Sequence, residues 1–244
     1  MTGFVLVHGA WHGAWCWTRQ IEALRRRGHD AVAVELPSDE IGAGAERYAQ
    51  VVADAVRASG ADVVVGHSLA GLALPLVPEI TEVRALVYLA ALLPQPGSSW
   101  RDQLAAGRPM AGWFYDDGLP RQQKDDLGRS VWPADVAAEL FFHDCDPQVA
   151  ADAAGRLRPQ APTPVAEISP VRAFPDVATH YIACDHDRAA SVEWGAATAT
   201  SRMGASVSHI PTSHSPFLSD PAGLAGLLEQ LAAEPVGSRR RSTG

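Results

Sequence analysis

Residues 63–71 read VVVGHSLAG, and this stretch decides the fold expected for the whole chain. The three valines form an apolar run of strand length, and a helical pattern follows Ser68 as far as Glu79. A serine between such a strand and a helix, with Gly66 two residues before it, is typical of a nucleophile elbow, a strained turn that projects the hydroxyl above a sheet. Ala70 replaces the second glycine usual in this turn and adds one methyl group. A serine that only caps a helix is the alternative, and the preceding strand favours the nucleophile.

The same alternation of short apolar runs and longer amphipathic segments extends over most of the chain. Six runs are apolar on both faces, at residues 4–8, 31–35, 62–66, 84–90, 179–184 and 205–210. Helical patterns lie between or after them, at residues 17–27, 43–59, 69–79, 189–202 and 221–233. Strands that are apolar on both faces need helices on both sides of their sheet. The pattern therefore predicts an α/β fold with one doubly wound, mostly parallel sheet.

One segment, residues 94–175, breaks this rhythm, because its strand pattern stops and short helical patterns alternate with proline and glycine. Long insertions in compact domains are usually lids or binding elements. We therefore predict a helical cap at 94–175, inserted into a core formed by residues 1–93 and 176–236. Residues 237–244 are small, polar and basic, and a disordered tail is expected there. The alternative for the insertion is a structural element whose aromatic residues form only its own small core.

A serine needs an adjacent base, held by a third group, to act as a nucleophile at neutral pH. In a sheet of this kind the acid follows a later strand and the base follows the last one. His214 is the one histidine of nine in the loop after the last predicted strand, so it is the candidate base, and His209, inside that strand, is taken as structural. Asp185 and Asp187 both follow the preceding strand. We favour Asp187 because it lies deeper in the loop, and we interpret Asp185 as a turn or capping residue.

The loop after the first predicted strand has the composition of an oxyanion hole. It reads HGAWHGAW at residues 8–15, where Gly9 permits a close approach of the backbone. Such a hole uses the N–H of the residue after the nucleophile, here Leu69, and one N–H from the first loop, for which Ala10 is the candidate. A plain strand-to-helix turn is the alternative. The candidates for an apolar substrate pocket are Trp11, Trp113, Phe114, Trp132 and Phe142.

Composition argues against several classes of protein. The 28 acidic and 20 basic residues, with a net charge of −8, disfavour nucleic acid or an acidic membrane surface as the main partner. No apolar run reaches the roughly 18–20 residues that cross a bilayer. Dinucleotide, phosphate-loop, HExxH and CxxC motifs are absent, so no cofactor or metal is expected, and the metal-like string at 143–146 is interpreted as a surface turn and helix cap.

The expected surroundings of the protein follow from its cysteines and its N-terminal residues. Three widely spaced cysteines indicate reduced thiols, and the N-terminal stretch has no basic region before its apolar run. A cytoplasmic protein with a small-molecule substrate is therefore expected. Whether it forms a homodimer stays open.

These segments together resemble a known family. FVLVHGAWHGAWCW, VVVGHSLAGLALPLV, YIACDHD and TSHSPFLSDP are similar to the α/β-hydrolases of the plant methylesterase and hydroxynitrile lyase group and their bacterial relatives. The resemblance implies an α/β-hydrolase fold with a helical cap and a cofactor-free Ser-His-Asp hydrolase. Residue by residue, it implies Ser68, Asp187 and His214 as the triad, with Ala10 and Leu69 as oxyanion donors. The excess of arginine over lysine is typical of a high-GC bacterial genome.

Two positions depart from the lyase members of this group. Those members place a lysine directly after the catalytic histidine, where this chain has Ser215, and a threonine where it has Ala10. The only lysine of the chain, Lys124, lies far from the motifs in sequence. We therefore predict a serine hydrolase that cleaves a small or medium, largely apolar carboxylic ester or lactone through an acyl-enzyme. The alternatives are a non-hydrolytic lyase or cyclase acting on a natural-product intermediate, and a ligand-binding protein with a vestigial triad.

Overall fold

The computed structural model describes residues 1–233, and its frame is a six-stranded sheet. In chain order the strands are β1 Gly3–Val7, β2 Asp30–Val34, β3 Val63–His67, β4 Ala85–Leu89, β5 Gln123–Lys124, β6 Ser130–Val131, β7 Ala178–Cys184 and β8 Ser206–Ile210. The order in the sheet is β2-β1-β3-β4-β7-β8, and every neighbouring pair is parallel. The six predicted strands and the predicted fold class are therefore confirmed. The tail predicted at 237–244 lies outside the described residues.

The predicted helices are present with one difference. The described helices are α1 Thr18–Arg26, α2 Ala45–Ser59, α3 Val77–Ile80, α4 Trp100–Ala106, α5 Ala134–Phe141, α6 Pro147–Gly155, α7 Thr163–Ala166, α8 Val192–Met203, α9 Pro216–Ser219 and α10 Pro221–Ala233. The helix expected at 69–79 is instead two short 3-10 segments, Ser68–Leu72 and Leu74–Leu76, followed by α3. Pro75 and Pro78 lack the backbone N–H that a continuous α-helix requires, so the ladder is interrupted there.

Both faces of the sheet are buried, because successive strand residues point to opposite sides. In β3, Val63 and Val65 join one core cluster, which contains residues of α1 and α10. Val64 joins a second cluster on the other face, which contains residues of α2 and α8. Every residue of β3 and β4 is buried. This two-sided burial explains why the strands read as continuous apolar runs.

The segment between β4 and β7 contains the helices α4 to α7, as its helical patterns indicate, and also a small hairpin. β5 and β6 pair antiparallel in a two-stranded sheet, which corrects the expectation that strands stop in this segment. Each of these strands has two residues, too few to show an alternating pattern. The bounds of the cap, 94–175, stay a prediction. Across residues 1–233, no helix combines the length and apolar character needed to cross a bilayer.

The sheet order creates a crevice beside the carboxyl end of β3. β1 lies between β2 and β3. The connection after β1 contributes α1 to one face of the sheet, and the connection after β3 contributes residues 69–80 to the other. The loops after β1 and β3 therefore diverge where the strand order reverses. In open α/β sheets, ligands bind in the crevice at such a switch point.

Candidate active site

Ser68 occupies a strained turn at the carboxyl end of β3. Its φ is 51°, in the left-handed region that non-glycine residues rarely adopt. The N–H of Leu92 donates to the Ser68 carbonyl over 2.9 Å and holds the turn against β4. A side chain at Gly71 would collide with the carbonyl oxygen of Leu92, whereas the side chain of Ala70 is accommodated in the buried wall. The position that only glycine can fill is therefore Gly71, one residue after Ala70, where this turn usually has its second glycine.

His214 and Asp187 form a buried hydrogen-bonded pair in the loops after β8 and β7. Nδ1 of His214 lies 2.7 Å from Oδ2 of Asp187, and both side chains are almost fully buried. Oδ1 of Asp187 accepts from the backbone N–H groups of Ala189 (2.7 Å) and Ala190 (3.0 Å), so the carboxylate cannot turn freely. A carboxylate at Nδ1 selects the tautomer that carries its proton there. Nε2 of His214 is then the nitrogen able to accept a proton.

The second aspartate of this loop, Asp185, has a different partner. Its Oδ1 lies 2.6 Å from Nδ1 of His209, and both side chains are well exposed. The structure thus brings Asp187 rather than Asp185 to His214. His209 lies inside β8 and pairs with Asp185, which fits the structural role expected for it.

The loop that carries His214 is held from two sides. His67 donates from Nε2 to the carbonyl of His214 over 2.9 Å, and the two ring centroids are 4.5 Å apart. On the other side, Asp144 accepts from the N–H of Ser213 (2.7 Å), and the carbonyl of Phe141 accepts from its hydroxyl (3.1 Å). His67 directly precedes the serine of the turn, so it joins the turn to the histidine loop. The sequence gives no sign of this role of His67 except its position next to Ser68.

Two buried histidines, His12 and His67, lie beside the candidate base. Burial lowers the pKa of His12 to about 3, and burial, followed by the nearby His214, lowers the pKa of His67 well below its ordinary value. Nδ1 of His12 donates to the carbonyl of Ala10 over 2.8 Å. Both rings are therefore neutral at pH 7. They pack around the site without adding a positive charge that would oppose an imidazolium at position 214.

The loop after β1 passes directly over the serine turn. A Cβ at Gly9 would lie 2.8 Å from the Cβ of Ser68, so only glycine allows this approach. Ala10 and Leu69 border the same space as Ser68. Leu69 lies in the first turn of its 3-10 segment, where N–H groups lack a partner within the helix. The two predicted oxyanion donors are therefore placed beside the serine.

The first loop is anchored to the segment between β4 and β7. Trp11 has a φ of 62° and donates from Nε1 to the Ser130 hydroxyl over 3.0 Å. The backbone N–H of Arg158 donates to the Trp11 carbonyl (2.9 Å). The Arg158 guanidinium donates to the carbonyls of His12 (2.9 Å) and Leu36 (2.7 Å). These bonds fix the loop that carries Ala10 relative to the predicted cap.

A cavity of about 500 Å³ opens above the serine turn, a size typical of small-molecule sites. It is bordered by Ser68, Ala10 and Leu69. Its wall is mainly apolar and includes Trp11, Leu92, Trp100, Leu104, Met110 and Phe114. Much of this wall comes from the segment between β4 and β7, so that segment covers the serine.

The predicted pocket residues divide into two groups. Trp11 and Phe114 line the cavity, whereas Trp113, Trp132 and Phe142 do not, which corrects their assignment. Trp132 packs edge-on against Trp11, with ring centroids 5.4 Å apart, and is buried behind the wall. Phe142 is fully buried in the core, and Trp113 packs half-buried at the edge of that core. Aromatic composition thus marked the right segment, but only one of its four predicted side chains, Phe114, lines the cavity.

The string at 143–146 serves the fold. Asp144 holds the N–H of Ser213, and Asp146 caps α6 by accepting from the N–H of Gln148 over 2.9 Å. The interpretation of this string as a turn and helix cap is confirmed. Within the described range, no three His, Cys, Asp or Glu side chains are grouped so that they could hold a metal ion.

Comparison with known proteins identifies the family. Residues 4–227 match the alpha/beta hydrolase family, and the chain belongs to it. The probable esterase PIR7A of Oryza sativa subsp. indica is 44% identical over 107 residues, which cover 38% of this chain and 40% of the rice protein. Methylesterase 3 of Arabidopsis thaliana is 30% identical over 157 residues, covering 56% of this chain and 59% of the plant protein. The aligned part of the chain thus spans about two fifths to three fifths of these relatives.

Among solved structures, a pyrethroid hydrolase from Sphingobium faniae has the same fold. Its TM-score is 0.80 over 96% of this chain and 98% of that one, at 24% sequence identity. The α/β-hydrolase fold and the resemblance to the plant methylesterase group are therefore confirmed.

Proposed function

We propose that the protein is a serine hydrolase that cleaves carboxylic esters through an acyl-enzyme, with Ser68, His214 and Asp187 as its triad. The observation that carries this proposal is the buried hydrogen bond of 2.7 Å between Asp187 and His214. It lies at the sheet edge where Ser68 is held at positive φ beside an apolar cavity. The relatives named esterase and methylesterase support the same chemistry.

Acylation begins with Nε2 of His214, which takes the hydroxyl proton of Ser68 as its oxygen attacks the ester carbonyl. The carbonyl electrons move onto the substrate oxygen, and this oxyanion accepts hydrogen bonds from the N–H groups of Ala10 and Leu69. Each donor of this kind lowers the barrier by about 2.7–4 kcal/mol. Asp187 orients the imidazole and stabilises its protonated form.

The acyl-enzyme forms when His214 gives its proton to the leaving alcohol as the carbon–oxygen bond breaks. In the second half of the reaction, a water molecule gives a proton to His214 and attacks the acyl carbon. The proton then passes to Ser68 as the carboxylic acid leaves. For a lactone, the released alcohol and acid belong to one product molecule.

The substrate is a small or medium, largely apolar ester or lactone. A cavity of about 500 Å³ with an apolar wall supports this size and polarity. Ser215, rather than a lysine, follows His214 and is fully buried. The absence of a cation at that position supports hydrolysis over cyanohydrin cleavage.

The test combines a fluorophosphonate probe with p-nitrophenyl esters of increasing chain length. Ser68→Ala is expected to abolish labelling and to lower kcat/KM on the order of 10⁴–10⁶-fold, with unchanged circular dichroism. The matched control is Ser201→Ala, an exposed serine of α8, which keeps both properties. Turnover that survives Ser68→Ala would overturn the proposal in favour of a lyase or cyclase. Ligand binding without labelling or ester turnover would favour the receptor-like alternative.

A cytoplasmic location and a small-molecule partner belong to the same proposal. Cys16, Cys145 and Cys184 are free thiols, which supports a reducing compartment. Cell fractionation tests the location, and recovery in a secreted fraction would contradict it. Light scattering after size-exclusion chromatography decides between a monomer and a homodimer.

A further inference from the structure

Two basic side chains, Arg101 and Lys124, border the cavity that contains Ser68. In the part of the chain that the structure describes, no aspartate or glutamate lines this cavity. Acidic residues nevertheless outnumber basic ones 28 to 20 in the whole chain, and Lys124 is its only lysine. The charge at the cavity therefore has the opposite sign to the charge of the protein.

The acidic neighbour of Lys124 is engaged elsewhere. Asp125 accepts from the guanidinium of Arg129 over 2.7 Å and from the backbone N–H of Leu127 over 3.0 Å. Its carboxylate is thus directed into the turn of the β5–β6 hairpin. Among residues 1–233, the side chain of Lys124 has no hydrogen-bond or ion-pair partner, so its charge is available to a ligand.

The acidic neighbour of Arg101 is also engaged. Asp102 accepts from the hydroxyl (2.7 Å) and the backbone N–H (3.0 Å) of Ser99, in the capping box that begins α4. The guanidinium of Arg101 likewise has no protein partner within the described range. Two independent elements, α4 and β5, each contribute to the border of one cavity a basic residue that has no protein partner in the described part of the chain.

The position of these cations separates them from the reacting atoms. Both side chains belong to exposed residues, whereas Ser68, Leu69 and Ala10 are buried. These two residues therefore reach solvent as well as the cavity, whose wall is otherwise mainly apolar. Low-dielectric walls of this kind focus the field of charges placed at a cleft.

We propose that the natural substrate is an ester with an apolar body and an anionic group at the end remote from the scissile bond, and that Lys124, assisted by Arg101, selects it. This inference rests on the proposed function, because it concerns the specificity of the same site. An anionic group of the substrate beside these side chains would neutralise them, because no aspartate or glutamate among the described residues lines the cavity. A charge at the border of the cavity acts on encounter and binding. Removing it is therefore expected to lower kcat/KM and raise KM for an anionic ester, with little change in kcat.

The experiment compares esters of matched size that differ in charge. On the acyl side, the pair is p-nitrophenyl hexanoate and the mono-p-nitrophenyl ester of adipic acid. On the alcohol side, it is p-carbamoylphenyl hexanoate and p-carboxyphenyl hexanoate. The quantity measured is the ratio of kcat/KM for the anionic ester to kcat/KM for its neutral counterpart, in the full chain at low and high salt.

In Lys124→Gln this ratio is expected to fall about 3-fold to 10-fold for at least one pair, because kcat/KM for the anionic ester falls more than kcat/KM for its neutral counterpart. Lys124→Arg restores the ratio because it keeps the charge. Arg101→Gln lowers it by a smaller factor. Salt lowers the ratio in the wild type and has less effect in Lys124→Gln, because screening acts on the same charge. The matched control is Arg25→Gln, which removes an exposed cation of α1 outside the cavity and leaves the ratio unchanged.

Three results would overturn the inference. The first is an unchanged ratio in Lys124→Gln for both pairs, and the second is an equal loss for neutral and anionic esters. The third is the same fall in Arg25→Gln, which would assign the effect to net charge. The hydrolase proposal survives all three if the wild type cleaves neutral esters through Ser68. Failure of the wild type to cleave any of the four esters would instead contradict the proposed function itself.

Discussion

The two sides of the cavity are built on different principles. On the sheet side, Ser68, Asp187 and His214 each follow a strand of one parallel sheet. On the side of the predicted cap, called the cap side, the lining residues come from α4, the β5–β6 hairpin, α7 and short connecting segments. The parallel sheet fixes the positions of the three residues on the sheet side. The residues on the cap side belong to separate short elements that share no such sheet. The difference suggests that the chemistry of this site depends on the sheet and its specificity on the packing of the insertion.

The largest effect that sharpens this comparison concerns the two aspartates after β7. Asp187→Asn is expected to lower kcat/KM on the order of 10⁴-fold, because an amide at Nδ1 of His214 permits the wrong tautomer. Asp185→Asn, which changes only the exposed pair with His209, is expected to alter activity by less than about 2-fold. Steady-state kinetics with one neutral ester measures both. Equal losses in the two variants would contradict the assignment of Asp187.

The second prediction separates packing from lining within the predicted cap. Phe142→Ala is expected to lower the free energy of unfolding by about 3–5 kcal/mol, because it opens a void in a fully buried core. Its preference among ester chain lengths stays unchanged, since Phe142 does not line the cavity. Urea unfolding and the p-nitrophenyl ester series measure the two quantities.

Leu104→Ala is the matched variant for that comparison. Leu104 is half-buried and lines the cavity, so its truncation is expected to shift the chain-length preference toward longer esters by about 10-fold. The cost in stability is smaller than for Phe142→Ala. A changed chain-length preference in Phe142→Ala, or none in Leu104→Ala, would show that the cavity wall has been assigned wrongly.

The last prediction concerns pH and the buried histidines on the sheet side. The pKa of His12 is lowered from 6.5 to about 3 by burial, so between these values the unfolded chain binds a proton that the folded chain does not. The stability contributed by neutral His12 is complete above pH 6.5 and is lost as pH falls toward 3. As the pH falls through this range, the titration of His12 therefore lowers the free energy of unfolding by up to about 1.4 kcal/mol per pH unit.

His12→Asn tests this pH dependence. The amide nitrogen can still donate to the carbonyl of Ala10, but the side chain no longer titrates. Urea unfolding between pH 7 and pH 4 is expected to show a shallower slope for the variant than for the wild type. Equal slopes would mean that His12 carries a proton in the folded protein at these pH values.

Much of the sheet side was predictable because its signals are local. The six apolar runs matched the sheet strands to within about one residue, since burial on both faces leaves a continuous apolar signature. Ser68 and His214 were found from the strands before them. The serine turn held one surprise, the close approach of Leu92 at Gly71 rather than at Ala70, because that contact depends on a neighbouring strand.

Most of the cap side was not predictable in the same way. Aromatic side chains are typical of a pocket wall, but three of those predicted pack in or against the hydrophobic core and do not line the cavity: Trp113, Trp132 and Phe142. Lys124 shows the reverse case. It stands far from every motif in sequence, and the β5–β6 hairpin brings it to the cavity. A two-residue strand leaves no periodic signal from which such a placement could be read.

By itself, the amino-acid sequence determined the parallel sheet, the strained serine turn and the order of the candidate triad, because hydrophobic periodicity and turn residues act over neighbouring positions. Only the tertiary structure decided that Asp187 rather than Asp185 meets His214, that His67 holds the histidine loop, and which side chains face the cavity. These contacts join residues that are far apart along the chain. They depend on how whole elements pack against each other, which the spacing of residues within one element does not predict.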